Sequence, residues 1–198
     1  MYRIETYYKT YRDLALQEPS VLNSNGYGHS KGVDVFFNDR DLIKNFEYML
    51  AYSFNLSKRK YQDYTELSTP QYATTHNASI SLKYNIPVLK TIFGITNRYA
   101  SGRPYHDPTI SGLMNSTTGY YNSVDMSLTY LAGKKVIIYA SASNLLGRQN
   151  VYNYTYSADA SSPDGYRKVP VIDSSNHFFY IGIFITLSGK TAYDVSNF

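Results

Sequence analysis

The sequence predicts an all-β fold: an antiparallel, up-and-down transmembrane β-barrel wall of about eight meandering strands. Three observations predict it. First, residues 177–187 alternate without a break: Phe179, Ile181, Ile183, Ile185 and Leu187 fall on one face, and Phe178, Tyr180, Gly182, Phe184 and Thr186 on the other. That run is long for a soluble strand, where about five or six residues is usual, and long enough for a tilted strand to cross a bilayer. Second, the connections between such runs alternate long, short, long, short along the chain, as in barrels with short turns on one rim and long loops on the other. Third, the less apolar face carries Glu47, Asn55, Asn77, Ser79, Lys83, Arg98, Ser123, Asp125, Ser127 and Thr129. Unpartnered charges in a dry protein core cost several kcal/mol each, so this set calls for a hydrated or paired lumen.

Taken in order, residues 2–11 place Ile4, Thr6 and Tyr8 against Arg3, Glu5, Tyr7 and Lys9. Residues 12–28 carry Pro19, Asn23, Asn25 and Gly26 and read as a long loop by their breakers. The second strand, 31–38, sets Val33, Val35 and Phe37 against Asp34 and Phe36, and residues 38–41 read as a short turn. The third, 45–57, repeats apolar residues at Phe46, Tyr48, Leu50, Tyr52, Phe54 and Leu56, a period of two that excludes a helix. Residues 58–75 form a polar loop. The fourth strand, 76–84, alternates Ala78, Ile80, Leu82 and Tyr84 with Asn77, Ser79, Ser81 and Lys83. A turn at Pro87 follows, since proline lacks the N–H a ladder interior uses.

In the fifth strand, 90–102, Phe93, Ile95 and Tyr99 share a face with Asn97. Residues 103–119 are a second long loop. The sixth, 120–131, pairs Val124, Met126, Leu128 and Tyr130 against polar neighbours, and the turn at 132–134 is the shortest in the chain. The seventh, 135–146, points Val136, Ile138, Ala140 and Ala142 to lipid, with Ile137 breaking the pattern. The longest loop, 147–176, precedes the eighth strand, and residues 188–198 are a polar tail. Tyr2, Tyr11, Tyr84, Tyr99 and Tyr130 at strand ends fit an interfacial aromatic girdle.

Composition sets bounds. The chain has 23 Tyr, no Trp and no Cys, so it has no disulfide, no zinc–thiolate site and no thiol nucleophile. A net charge of +4 without a basic motif excludes nucleic acid as the expected partner, and Lys58-Arg59-Lys60 reads as a solvated strand end. No apolar run reaches the ~18 residues of a transmembrane helix. Residues 1–6 lack the apolar core of a signal peptide, so an export signal is expected upstream of Met1.

No metal-ligand or cofactor spacing appears among His29, His76, His106 and His177. His106-Asp107 near Ser111 could be drawn as hydrolase pieces, but such residues are common in loops, and no enzyme is expected. Ligand contacts, if present, belong on the long loops: Arg103, Tyr105, His106, Tyr152, Tyr154 and Tyr156, because Tyr and Arg carry much of the energy of recognition.

Several motifs carry a resemblance. Gly28-His-Ser-Lys-Gly32-Val-Asp34, Tyr99-Ala-Ser-Gly102-Arg-Pro-Tyr105, and Ser143-Asn144-Leu-Leu-Gly147 followed by Asn150-Val-Tyr152 run in that order before the aromatic last strand. Together they resemble the C-terminal barrel part of TonB-dependent outer-membrane receptors, in the Tyr- and Asn-rich style of the Bacteroidetes group. The resemblance implies about 22 strands around an N-terminal plug in the whole protein. It places the single domain 1–198 in the C-terminal third of that barrel, without the plug. It further implies residence in the outer membrane of a Gram-negative bacterium, contact with outer-membrane lipid, insertion by the barrel-assembly machinery, and coupling to the TonB complex through the plug. The implied activity is energy-coupled uptake of a nutrient such as a siderophore, cobalamin or glycan. Family chains commonly close on an aromatic residue, whereas here the apolar strand ends at Leu187 and Phe198 follows later. Two other readings stand beside this one: a free-standing eight-stranded barrel with a structural or adhesive role, requiring tight pairing of Glu47, Lys83, Arg98 and Asp125, and a soluble ligand-binding β-barrel.

Overall fold

The computed structural model describes residues 1–18 and 21–187; the predicted tail at 188–198 lies outside the described residues. Eight strands form one antiparallel sheet: β1 (Tyr2–Glu18), β2 (Val21–Ile43), β3 (Phe46–Lys60), β4 (His76–Ile86), β5 (Thr91–Ala100), β8 (Tyr121–Leu131), β9 (Val136–Ser143) and β12 (Phe178–Ile185). Two small hairpins lie between them: β6 (Pro104–Tyr105) with β7 (Ser116–Thr117), and β10 (Val151–Ala158) with β11 (Tyr166–Ile172). Each long strand pairs with the next in sequence, so the main sheet is a meander in the order β1-β2-β3-β4-β5-β8-β9-β12. Among the described residues no ladder joins β1 to β12, and the sheet has two open edges.

Register fixes the faces. One row of Cα partners runs Leu50–Ile80–Asn97–Val124, and another joins Leu128, Ala140 and Ile181. The opposite parity runs Glu47–Lys83–Gly94–Ser127–Ser141. The second set lines a concavity of about 890 Å³ on one side of the sheet. The apolar set is therefore convex, and it is open: Ile181 is 75 % exposed, Ile183 63 % and Ile185 63 %. A soluble barrel turns its apolar face inward, and this sheet does the reverse. Returning an isoleucine of this kind to hydrocarbon recovers about 1.5–3 kcal/mol.

Aromatic residues edge the convex band on both sides. On the short-turn rim, Phe37 stacks on Tyr48, and Phe46 contacts Tyr48 and Tyr84. On the other rim Tyr52 and Phe54 meet His76, and Tyr99 meets Tyr120. Phe46 and Phe54 mark the two rims on β3. At ~3.3 Å per residue they stand about 26 Å apart along the strand, close to the ~25 Å apolar band of outer-membrane barrels before tilt is allowed for. Tyr11 does not join the girdle. It has the parity of Arg3 and Tyr7, and the Arg59 guanidinium lies 4.0 Å over its ring.

The last strand spans Phe178–Ile185 rather than 177–187 and the one before it Val136–Ser143 rather than 135–146, and two further boundaries differ for a local reason. Residues 12–18 and 21–28 are not a loop: β1 and β2 stay paired as far as Glu18 and Val21, with bulges around Asp13 and Leu14, and Pro19 lies outside the described residues. Gly26 and Gly28 serve this ladder by close approach, since a Cβ on either would run into the backbone of Lys60 or Lys58. Residues 38–41 do not turn the chain. Asp39 instead accepts the backbone N–H groups of Asp41 and Leu42, and the reversal comes at Lys44–Asn45, where Asn45 takes φ +64°.

The extended hairpin makes room for the protein's small closed core, which lies beyond the band. Residues 61–75 fold back on β1 through Gln17 N–H to Gln62 O (2.6 Å) and Gln62 N–H to Ala15 O (2.7 Å). Leu16, Tyr64, Pro70 and Ala73 are buried there. The remaining short connections are a single 3₁₀ turn at Pro87–Leu89, closed by Lys90 at φ +49°, and a turn at Gly133.

Candidate functional site

Among the described residues, the charged groups that line the main concavity are partnered. Glu47 lies 3.4 Å from Lys83 Nζ and 3.7 Å from Arg40, and Arg98 pairs with Asp125. Asp125 also accepts Ser123 Oγ (2.7 Å) and the Asn144 backbone N–H (2.8 Å). Asp34 accepts Ser53 Oγ at 2.5 Å, and Ser81 and Thr96 share a hydrogen bond. Ile137, which broke the alternation, joins Leu131, Ile92 and Phe184 in an apolar patch at the short-turn end of this wall.

Toward the long-loop rim the wall opens into a second pocket of about 600 Å³. Three guanidinium groups reach it, Arg3, Arg98 and Arg103, with Tyr121 and Tyr152 as its aromatic sides. Arg103 lies 5.4 Å over the Tyr152 ring, and Tyr152 meets Tyr121 at 6.1 Å. The Tyr152 hydroxyl donates to Asp173 Oδ2 at 2.7 Å; burial and that carboxylate push its pKa up to about 12. The pocket offers the Arg103 guanidinium and flat aromatic surface, while Arg98 is paired to Asp125, Arg3 to Glu5, and the Asp34 carboxylate shares the lining.

Above it stands a denser cluster. β10 and β11 form the expected longest loop, folded as a hairpin rather than left irregular. Its inner face presents Tyr154, Tyr156, Tyr166 and Lys168 to the β6–β7 loop. Lys168 Nζ donates to Tyr105 Oη at 2.7 Å and sits 4.9, 4.3 and 5.7 Å from the ring centres of Tyr105, Tyr154 and Tyr156. Asp107 is buried beside them. It accepts Thr109 Oγ1 (2.6 Å), the Thr109 N–H (3.0 Å) and Tyr156 Oη (2.6 Å), with Lys168 at 3.9 Å. The Thr109 hydroxyl, then Tyr156, hold its carboxyl near 2. Burial first, then the Asp107 hydrogen bond, push Tyr156 up to about 12, and the Tyr105 hydrogen bond keeps Lys168 protonated beyond its usual range.

Of the six residues predicted as ligand contacts, five fall in these two neighbouring groups: Arg103 and Tyr152 at the pocket, Tyr105, Tyr154 and Tyr156 in the cluster. His106 is exposed, and among the described residues no hydrogen bond joins it to Asp107 or Ser111. The residues that sequence reasoning missed are Lys168, Asp173, Tyr121, Arg3 and Arg98 as pocket or cluster members. Lys168 had a faint signal: Tyr152, Tyr154 and Tyr156 repeat at a spacing of two, which is a strand face in want of a partner.

The family-like motifs prove to be joints. Asn144, at φ +49°, donates through Nδ2 to Arg148 O (2.8 Å) and Asn176 O (2.6 Å), tying the two ends of the long loop. Asn150 exchanges hydrogen bonds with the Asn122 backbone at 3.0 Å each way. Gly102 lets the chain pass Thr118 more closely than a Cβ would permit.

An apolar convex band, aromatic rims, a paired polar concave wall and a roofed outer mouth together define part of an outer-membrane β-barrel. Solved structures that resemble it agree. The ferric-catecholate import receptor Fiu from Escherichia coli K12 matches with a TM-score of 0.65 at 14 % identity, over 92 % of this chain and 25 % of its own. The ferric yersiniabactin uptake receptor FyuA from Yersinia pestis gives 0.68 at 17 %, over 92 % and 26 %. The outer membrane transporter YddB from Escherichia coli gives 0.68 at 13 %, over 93 % and 30 %. The fold is thus that of an outer-membrane receptor's barrel wall, and the chain spans between a quarter and a third of the solved chains it matches. No family model and no curated protein matches the sequence.

Proposed function

We propose that residues 1–198 form the C-terminal wall of a TonB-dependent outer-membrane receptor, and that the intact protein takes up a scarce nutrient with energy supplied through TonB. The observation that carries this reading is the open meander itself. Eight strands pair in sequence order, and among the described residues the sheet ends in two unpaired edges, β1 and β12. Hydrocarbon cannot solvate a sheet edge, so further strands must complete the ladder at both sides. The match to a quarter or more of three receptor or transporter chains supports the same reading. The wall contributes the outer pocket of Arg3, Arg98, Arg103, Tyr121 and Tyr152, where ligand first meets the barrel. The remaining strands, and a plug that reaches TonB, come from the rest of the polypeptide, and the barrel-assembly machinery inserts the whole.

The test is genetic and biochemical. A strain lacking the gene is grown with ferric chelates, cobalamin or oligosaccharides as the limiting nutrient, with TonB intact or absent. The expected result is a growth defect on one nutrient that TonB loss reproduces. Recovery of the intact protein in the soluble fraction, with no defect on any nutrient, would overturn the reading.

A further inference from the structure

We propose that Lys168 is a positioning residue for the barrel mouth: its ammonium, caged by Tyr105, Tyr154 and Tyr156 beside Asp107, pins the β10–β11 hairpin and with it the pocket side formed by Tyr152. This deepens the receptor reading by naming what holds its outer pocket in shape.

The hairpin cannot hold its own place. Among the described residues it is a two-stranded sheet that pairs with no strand of the main wall, and an isolated hairpin is marginal in water. Its base is tied by Asn144 and by the Tyr152–Asp173 hydrogen bond. Farther along the strands, its fixed point is the Lys168 cluster. There one ammonium gathers a hydroxyl at 2.7 Å and three ring faces within 5.7 Å. These four partners come from two places: Tyr105 and Asp107 from the β6–β7 loop, Tyr154 and Tyr156 from β10. Lys168 therefore joins two outer loops that no backbone ladder joins.

The link to the pocket is covalent and short. Tyr152 precedes Tyr154 by two residues on the same strand, and Arg103 precedes Tyr105 by two on the opposite loop. The Arg103–Tyr152 stack at 5.4 Å is the next contact down from the Lys168–Tyr105–Tyr154 stack. Holding Tyr105 against Tyr154 thereby holds Arg103 against Tyr152. A point charge with three rotatable donors suits this ring cage, whereas a neutral side chain of similar length fills the space without the attraction.

The experiment measures the loop-to-loop distance in the intact protein that carries this chain. Since the chain has no cysteine, I110C and S161C introduce spin labels at two exposed sites, one on each loop, and pulsed electron paramagnetic resonance reads the distance distribution between them. A second pair, V88C with K134C, sits on the short-turn rim and reports whether the wall is folded. The expected result is one narrow distribution in the parent, a split into two populations with a longer component in K168M, and a return toward the parent in K168R, while the rim pair stays unchanged. Y105F, which removes only the accepting hydroxyl, gives a smaller shift in the same direction. A K168M distribution that overlays the parent with the rim pair intact would overturn the proposal, and so would a K168R variant as broad as K168M. If K168M disturbs the rim pair, Y105F decides. None of these distances depends on uptake, so a protein that imports nothing can still show the latch, and a true receptor can lack it.

Discussion

Tyr105 and Lys168 lie 63 residues apart in the chain, yet the Lys168 ammonium donates to the Tyr105 hydroxyl at 2.7 Å. That bond closes a circuit through Tyr156 and Asp107, and the circuit sets a pH window. Asp107 is held near 2, below its ordinary value, so the unfolded loop takes up a proton first as pH falls. Its contribution is complete above about pH 4 and is lost on the way down to about pH 2. Tyr156, pushed up to about 12, stays neutral when a free tyrosine ionises. Its contribution is complete below about pH 10 and is lost as pH climbs to about 12. Lys168 stays charged across that whole range, and Tyr105, Tyr154 and Tyr166 are the other titratable groups against the cluster. A spin label at S161C should keep one mobility between about pH 4 and pH 10 and loosen outside it. A step near neutral pH would count against Asp107 and Tyr156 as the groups that set the window.

The convex band predicts depth-dependent costs. Ile80 lies mid-band, between Leu50 and Asn97 in the pairing rows. Ile80→Arg should destabilise the intact protein by about 2–4 kcal/mol in lipid, as charges do at the midplane of outer-membrane barrels. Ser81→Arg, one residue on but facing the concave wall, should cost far less. Urea unfolding in vesicles compares the two, and equal losses would mean that the face assignment is reversed.

Gly32 predicts a different kind of defect. It sits opposite Tyr7 and Asn55, and an added Cβ would run into the Phe54 carbonyl oxygen and come within 2.5 Å of the Tyr7 hydroxyl. The Tyr7 ring covers the site that the missing side chain leaves. Gly32→Ala should therefore destabilise the β1–β3 region by about 1–3 kcal/mol through overpacking. Tyr7→Ala in the same chain should recover only part of that loss, because the Phe54 backbone cannot move as a side chain can. Thermal unfolding of the single and double variants checks the coupling.

How much of this was legible follows from where the physics is local. The period of two is written in the residues themselves, so the eight strands and the parity of Glu47, Ser127 or Ile181 could be read directly. Asn23, Asn25 and Gly26 misled because their breaker tendency is weak beside a ladder of backbone hydrogen bonds, which carried β1 and β2 well past the band. Tyr11 misled because its type and strand-end place suit a girdle, whereas its parity is that of Arg3 and Tyr7, the side on which Arg59 lies over it. Tyr105, Tyr154 and Tyr156 stand out in the sequence by type and place, as candidates for ligand contact rather than as partners of a lysine. Lys168 does not, since its partners are brought to it by a hairpin whose pairing no short motif announces.

Asn144 offers the sharpest test of the motif residues as joints rather than ligand contacts. Its amide donates to Arg148 O and Asn176 O, at the two ends of the segment that contains β10 and β11. Its backbone N–H reaches Asp125, which in turn holds Arg98 at the pocket. Asn144→Ala removes both amide bonds and leaves two carbonyls to find water, a cost of about 1–3 kcal/mol. It also removes a residue that tolerates φ +49° better than alanine does. The loss should be local, because the β8–β9 and β9–β12 ladders do not depend on that side chain. Hydrogen exchange should therefore quicken across residues 147–176 and stay unchanged in β8 and β9. Asn144→Gly relieves the backbone strain without restoring the amide, so it should exchange nearly as fast as Asn144→Ala. Protection at the parental level in Asn144→Gly would mean that the left-handed turn, not the amide, holds the loop.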